Sequence, residues 1–125
     1  MKVLALLLGL CSVAWAPAPD RIPQFVEITV TATAYSSAVN QCDSDPYITA
    51  TGDSVRVGIV ALSRDLHRLW GFDKRVYAKI DGDWVELVTL DLMHRRWDRK
   101  VDIWMETYAD ARRFGVRELT VMYEV

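Results

Sequence analysis

The sequence is poor in the residues that usually carry metal or redox chemistry. Among 125 residues it has two cysteines, Cys11 and Cys42, and two histidines. His67 and His94 have no cysteine or histidine partner at the spacing of zinc ligands, so we expect no metal site and no cofactor. Cys42 lies beside Asp43, whose negative charge opposes formation of a reactive thiolate. Catalysis by a nucleophilic cysteine is therefore not expected.

The chain also lacks a strong charge excess and a long apolar run. Fifteen basic residues against 17 acidic ones give a formal net charge of −2, which does not indicate a nucleic-acid-binding surface. No apolar stretch reaches the roughly 20 residues that a membrane-spanning helix needs. The composition, 51% hydrophobic with six glycines and four prolines, excludes a disordered chain, and the length favours one domain with one core.

The first 16 residues, MKVLALLLGLCSVAWA, have the layout of a cleaved secretory signal peptide: a basic residue, an apolar segment and small residues at the end. The alternative is a buried first strand or helix, which the Pro-Ala-Pro sequence that follows would interrupt. A lipidated Cys11 is disfavoured because Leu10 occupies a position where a small residue is needed. We therefore expect a signal peptide at 1–16, a linker at 17–24, one domain at 25–125, and a secreted or cell-envelope (periplasmic) protein.

Patterns of apolar residues predict a mainly β fold. Six segments are predicted strands: 25–35, 55–62, 75–80, 84–90, 101–105 and 117–123. The sequence Asp81-Gly82-Asp83 indicates a tight hairpin, because Asp and Gly both tolerate positive φ. One short helix is predicted at 108–114, with Thr107 as its N-cap and Gly115 at its end, and residues 64–70 are expected to form at most a helical turn. Short strands without a βαβ rhythm predict a small closed or nearly closed barrel.

Residues 89–105 contain the strongest candidates for chemistry. Asp91 lies at the end of one predicted strand, and Asp102 lies eleven positions later inside the next. Aspartate is disfavoured in strands, so Asp102 between two apolar neighbours indicates either a functional carboxyl or a solvated face of the strand. Trp97 and Trp104 lie nearby. The basic residues of 94–100 fit a solvated loop whose charges pair with neighbouring carboxylates.

Several short motifs resemble, in order and spacing, those of a known family. They are Val30-Thr31-Ala32-Thr33-Ala34-Tyr35, Ile48-Thr49-Ala50-Thr51-Gly52, Ile59-Val60-Ala61-Leu62-Ser63, Arg75-Val76-Tyr77, the Asp91 to Asp102 spacing, and Ala109-Asp110-Ala111 before Phe114-Gly115. Together they resemble the 3D domain, named for three aspartates, which is shared by membrane-bound lytic transglycosylase A and by small secreted or phage-encoded cell-wall proteins. The resemblance covers residues 29–123 and implies a six-stranded double-psi β-barrel.

The resemblance implies a peptidoglycan lytic transglycosylase, an enzyme that cleaves the glycan strand without water and leaves a 1,6-anhydro sugar end. The family's catalytic aspartate matches Asp102, which would act first as general acid and then as general base. Asp91 would raise the pKa of Asp102 as a nearby negative charge. The residues then expected around the glycan are Ser63, Tyr35, Trp97 and Trp104.

The sequence departs from the family's pattern at two places. The family's first aspartate falls on Ser63, and Asp65, two residues later, is the candidate to replace it. The glycines and the lysine of the loop after Asp91 are replaced by other residues, with Trp97 at the lysine position. The alternative function is therefore a cell-wall glycan-binding barrel without turnover. Catalysis, unlike binding, requires Asp91 and Asp102 to converge in one groove.

Overall fold

The computed structural model describes residues 20–37 and 47–125. In chain order its elements are β1 (Phe25–Tyr35), β2 (Ile59–Leu62), α1 (Arg64–Trp70), β3 (Arg75–Ile80), β4 (Asp83–Leu92), β5 (Lys100–Trp104), α2 (Tyr108–Phe114) and β6 (Arg117–Glu124). The predicted signal peptide, Cys11 and Cys42 lie outside the described residues, and residues 20–24 are exposed without regular structure. Within the described ranges, no helix combines the length and the apolar character needed to cross a membrane.

The six strands close into one barrel, in the order β1-β5-β2-β4-β3-β6. Two neighbouring pairs, β1 with β5 and β2 with β4, are parallel, and the other pairs are antiparallel. Closure gives each strand a paired neighbour on both sides over part of its length. The predicted mainly β fold, a small six-stranded barrel, is confirmed.

Alternate residues of the strands fill the barrel. The core residues from the strands are Val30, Ala32, Val60, Leu62, Val76, Ala78, Leu87, Val101, Ile103, Leu119, Val121 and Tyr123. Burying one such aliphatic side chain contributes about 1.5–3 kcal/mol, so this packing is a large part of what stabilises the fold. Because side chains occupy the interior, a ligand has to bind on the outer face of the barrel or at its ends.

Strand bounds agree with the predicted ones except at β2 and β4. The prediction of a strand over 55–62 is wrong in its first half, because Gly58 has a φ of +95° and the strand begins only at Ile59. Strand β4 continues past Leu90 to Leu92 and therefore includes Asp91. The remaining strand ends match the prediction or differ from it by one residue.

The local signals for the hairpin and for α2 are confirmed. Asp81 and Gly82 have φ angles of +50° and +88°, as a tight turn between β3 and β4 requires. The Thr107 hydroxyl oxygen accepts a hydrogen bond from the Asp110 amide at 3.1 Å, and Gly115 follows the last residue of α2. These features depend only on residues close together in the sequence.

The structure has a second helix, α1, where we expected at most a turn. Ser63 is its N-cap residue, and Gly71, with a φ of +75°, follows its last residue. Leu66 and Trp70, one helical turn apart, are 4% and 7% exposed and pack on the barrel. A seven-residue helix is unstable alone, so this burial is what stabilises α1.

Candidate functional site

The two candidate aspartates lie on strands that both pair with β2. Ala61 is in register with Asp91 on one side and with Asp102 on the other. Since Val60 and Leu62 belong to the core, the row Asp91, Ala61, Asp102 faces outward. Two strand spacings of about 4.8 Å place the Cα atoms of the two aspartates about 10 Å apart. The side chain between the two aspartates is that of Ala61, which is small and 4% exposed.

A β-bulge in β4 gives Asp91 its outward orientation. Val60 pairs with Thr89, but the next residue, Ala61, pairs with Asp91, so Leu90 is an extra residue in the strand. Without that extra residue, strict alternation from the buried Thr89 would point Asp91 into the barrel. The bulge therefore brings the carboxylate to the same face as Asp102.

Asp102 is partly buried and accepts a hydrogen bond. The hydroxyl of Thr33, its register partner on β1, donates to Asp102 Oδ1 at 2.9 Å. Burial raises the pKa of Asp102 to about 6; the Thr33 hydrogen bond and the Lys100 charge oppose the rise, and the negative charge of Asp91 adds to it. This carboxyl group therefore holds a proton at a pH where an ordinary aspartate has lost it.

Asp91 is held in place by three donors. The Tyr35 hydroxyl donates to Asp91 Oδ2 at 3.0 Å, and the amides of Ala50 and Leu92 each donate to Oδ1 at 2.9 Å. These bonds fix the carboxylate beside Asp102 and occupy both lone pairs of Oδ1. In the described part of the chain, no set of three or more His, Cys, Asp or Glu side chains is placed to hold a metal ion.

Residues 47–55 form a hydrogen-bonded turn against β4. The turn contains Gly52 with a φ of +85°, in the region that favours glycine. The hydroxyl of Thr51 donates to the Leu90 carbonyl at 3.1 Å, and the Ala50 amide is one of the donors to the β4 carboxylate. Part of this segment supplied a motif of the family resemblance, but its role in holding a candidate carboxylate was missed from the sequence.

Ser63 and Asp65 hold the backbone of the loop between β4 and β5. Ser63 is fully buried, and its hydroxyl oxygen accepts from the Lys100 amide at 3.0 Å. The Arg99 amide donates to both carboxylate oxygens of Asp65, at 3.1 and 2.9 Å. Burial acts to raise the pKa of Asp65, but hydrogen bonds from Ser63, Arg99 and Leu66 outweigh burial, so the pKa lies below its ordinary value. That Ser63 contacts a glycan stays a prediction.

The aromatic candidates lie on two parts of the surface. Trp104 is in register with Tyr35, so the two share the outward face that carries the aspartates. Trp97 lies in the loop between β4 and β5 and is contacted by cations: Lys100 Nζ is 3.5 Å and Arg96 Cζ is 4.6 Å from ring centroids of its indole. The site therefore brings together Tyr35, Trp104 and the two aspartates, with Trp97 in the adjoining loop.

Thr33 and Lys100 are functional candidates that the sequence did not single out. Both influence the pKa of Asp102 directly. Thr33 lies on the polar face of an alternating strand, which was a visible signal, but it is 69 positions from its partner. The alternation of apolar and polar residues identifies which residues of a strand share a face, but it does not specify which distant strand pairs with that strand.

Solved structures similar to this chain include the lytic transglycosylase MltA from Escherichia coli and a variant of it in an apo form. Each has 13% identity and a TM-score of 0.49, covering 62% of this chain and 27% of the MltA chain. A computationally designed double-psi β-barrel protein has 21% identity and a TM-score of 0.39, covering 78% of this chain and 100% of the designed one. No family model and no curated protein matches the chain. The chain thus spans about a quarter of the MltA length.

Proposed function

We propose that this protein is a peptidoglycan lytic transglycosylase in which Asp102 serves as general acid and then as general base. The observation that carries the proposal is a partly buried carboxyl group on the outer face of the barrel, Asp102, whose pKa burial raises to about 6. At pH 7 such a group is protonated in about one molecule in ten, whereas an aspartate with the ordinary value is protonated in about one in 1,500. A general acid at neutral pH requires this retained proton.

The proposed reaction needs only one carboxyl group. Asp102 donates its proton to the glycosidic oxygen as the bond between that oxygen and C1 breaks. The 6-hydroxyl oxygen of the same sugar then forms a bond to C1, and its proton passes to the Asp102 carboxylate. The products are a free hydroxyl on the leaving sugar, a 1,6-anhydro ring and a protonated Asp102, so no water is consumed.

Asp91 fits a supporting role better than that of a second catalytic base. Two backbone amides hold Asp91 Oδ1, and Tyr35 holds Oδ2, so the orientation of the carboxylate is fixed. Its negative charge acts to raise the pKa of Asp102. Hydrolases that activate water use two carboxyl groups with separate roles, whereas this arrangement provides one transferable proton and one fixed charge.

The proposed glycan path follows the outer face beside Asp102. Tyr35 and Trp104 are neighbours on β1 and β5, in the register row two residues beyond Thr33 and Asp102. Their rings give an apolar surface next to the carboxyl group, suited to the face of a sugar ring. Because peptidoglycan lies outside the cytoplasmic membrane, the proposal also requires export, which the segment 1–16 predicts.

Digestion of purified peptidoglycan, with mass spectrometry of the released fragments, tests the proposal. Wild-type protein should release fragments with 1,6-anhydro ends, and Asp102→Asn should release them at least about a hundredfold more slowly. Asp83→Asn is the matched control, because Asp83 is an exposed carboxyl at the hairpin end of β4, and its rate should equal that of the wild type. An Asp102→Asn variant with the wild-type rate would contradict the proposal.

The nature of the products separates this proposal from its competitors. Fragments with ordinary reducing ends would show hydrolysis. Binding of wild-type protein to glycan without any release of fragments would show the binding barrel without turnover. In either case the lytic transglycosylase mechanism would be rejected.

A further inference from the structure

The loop between β4 and β5 concentrates positive charge in a chain that is negative overall. Residues 94–100 carry four cationic side chains and one carboxylate, a local formal charge of +3, whereas the whole chain has −2. The four cations are Arg95, Arg96, Arg99 and Lys100. In the part of the chain that the structure describes, the ion pairs are Arg75–Glu86, Arg113–Asp110 and Arg117–Asp81. None of them involves the loop, so the expected pairing of its charges with neighbouring carboxylates is not seen there.

Among the described residues, Asp65 contacts the backbone of this loop but forms no ion pair with its cations. Asp65 accepts the Arg99 backbone amide with both oxygens, so its carboxylate holds the peptide chain. The loop is further fixed at its end, where the Arg99 carbonyl accepts from the Thr31 amide at 3.1 Å and the Lys100 carbonyl accepts from the Ser63 amide at 2.9 Å. The cations therefore project from an ordered backbone.

Trp97 orders two of the cationic side chains. Lys100 Nζ lies 3.5 Å and Arg96 Cζ lies 4.6 Å from ring centroids of the indole. Cation–π contacts of this kind restrict long, flexible side chains before a ligand arrives, which lowers the entropy lost on binding. Trp97 is thus a positioning residue for these cations, and its expected place beside the glycan stays a prediction.

The loop adjoins the proposed site of bond cleavage. Lys100 precedes Asp102 by two residues on the same face of β5, a distance of about 7 Å along a strand. A glycan strand with one linkage at Asp102 and the next sugar toward the start of β5 would therefore pass the loop. Guanidinium groups bind carboxylates in a planar, two-point geometry, so carboxylates on the substrate would complement the arginines of the loop.

We propose that the loop 94–100 binds carboxylates carried by the glycan strand, so that this protein selects peptide-bearing, anionic glycan over neutral glycan. This inference rests on the proposed function in one respect, namely that the glycan lies against Asp102. It specifies which glycans the same site prefers, and its binding test does not depend on cleavage of the glycan.

Isothermal titration calorimetry of the Asp102→Asn variant measures binding without cleavage. The probes are glycan strands with their stem peptides and, as the neutral comparison, oligomers of N-acetylglucosamine. At 0.1 M salt the peptide-bearing strands should bind at least about tenfold more tightly. At 1 M salt the preference should disappear, because the screening length falls from about 10 Å to about 3 Å. Equal affinity for the two probes at 0.1 M salt would overturn the proposal.

A matched pair of double variants assigns the preference to the loop. Arg95→Gln with Arg96→Gln, made in the Asp102→Asn background, should remove about tenfold in affinity for the peptide-bearing strands and nothing for the neutral oligomer. Arg112→Gln with Arg113→Gln removes the same charge from exposed positions of α2 and should leave both affinities unchanged. Equal losses in the two double variants would indicate a general charge effect and would overturn the assignment to the loop.

A third probe distinguishes the source of the negative charge. A poly(glycerol phosphate) polymer carries phosphodiesters and no carboxylates, so tighter binding to it than to peptide-bearing glycan would make a wall phosphopolymer the ligand and overturn the proposal. The inference and the proposed function can also fail separately. If wild-type protein releases no anhydro fragments and the loop-dependent preference persists, only the proposed function is rejected. If fragments form and the loop variants bind as before, only this inference is rejected.

Discussion

Replacing Asp102 with asparagine should remove activity and, at neutral pH, stabilise the protein. Burial raises the pKa of this carboxyl group from 3.8 to about 6, so ionising it is less favourable in the folded state than in the unfolded state. The difference between the two pKa values corresponds to about 3 kcal/mol of lost stability once the group is charged. Asparagine carries no charge and retains an oxygen that can accept the Thr33 hydroxyl.

The pH dependence of this contribution has a defined sign. Below pH 3.8 the carboxyl group is protonated in both states, and the group causes no loss of stability. Between 3.8 and about 6 the folded state binds more protons than the unfolded state, so the stability of the wild type relative to Asp102→Asn falls as the pH rises. Above about pH 6 the loss is complete and constant.

Urea unfolding followed by tryptophan fluorescence measures the effect. From pH 3.5 to pH 7.5 the free energy of unfolding of the wild type should fall by about 3 kcal/mol relative to Asp102→Asn. Because the free energy of unfolding of small proteins typically changes by about 1–3 kcal/mol per molar urea, this corresponds to about 1–3 M in the urea concentration at half-unfolding. The control Asp83→Asn, at an exposed carboxyl, should show no such difference. A variant that is less stable than the wild type at pH 7.5, or a difference that does not change with pH, would refute the reasoning.

Four further substitutions have defined outcomes. Thr33→Val removes a hydrogen bond that lowers the pKa of Asp102, so the falling limb of the rate–pH profile should move to higher pH. Asp91→Asn removes a negative charge that raises that pKa, so the same limb should move to lower pH. Tyr35→Phe frees one oxygen of Asp91 and should lower kcat about tenfold with an unchanged fold, as circular dichroism and single-turnover rates would show. Thr107→Ala removes the N-cap of α2 and should cost about 1 kcal/mol in thermal unfolding without altering the rate.

The parts of the fold that the sequence predicts correctly are those determined by near neighbours. Strand β1 follows from eleven residues of alternation, and the turn at Asp81 and Gly82 follows from two residues that tolerate positive φ. Helix α1 was underestimated for the opposite reason. Its stability depends on Leu66 and Trp70 packing against strands that are distant in the sequence, and local propensity contains no information on that packing.

In the candidate site, too, the sequence predicts what depends on near neighbours and does not predict contacts between distant residues. Asp102 could be identified because a carboxyl group between two inward-facing apolar residues is unusual in a strand. Its surroundings could not be identified, since the Thr33 hydroxyl comes from a strand 69 positions away. Trp97 shows a further limit: its aromatic ring was visible in the sequence, but the contacts of Arg96 and Lys100 with that ring depend on the conformation of the loop.

The position of Asp91 shows most directly why the carboxylate pair could not be derived from the pattern of β4. Strict alternation places Asp91 on the same face as Thr89, which is fully buried, and no glycine or proline near Leu90 indicates a bulge. The bulge is stabilised from outside the strand: the Thr51 amide and hydroxyl donate to the Leu90 carbonyl at 3.3 and 3.1 Å. Because β2 lies between β4 and β5 in the closed barrel, shifting the register by this one residue sets the second carboxylate across Ala61 from the first. The pair is therefore a consequence of barrel closure and of the turn at 47–55, and neither is encoded in the residues adjacent to the aspartates.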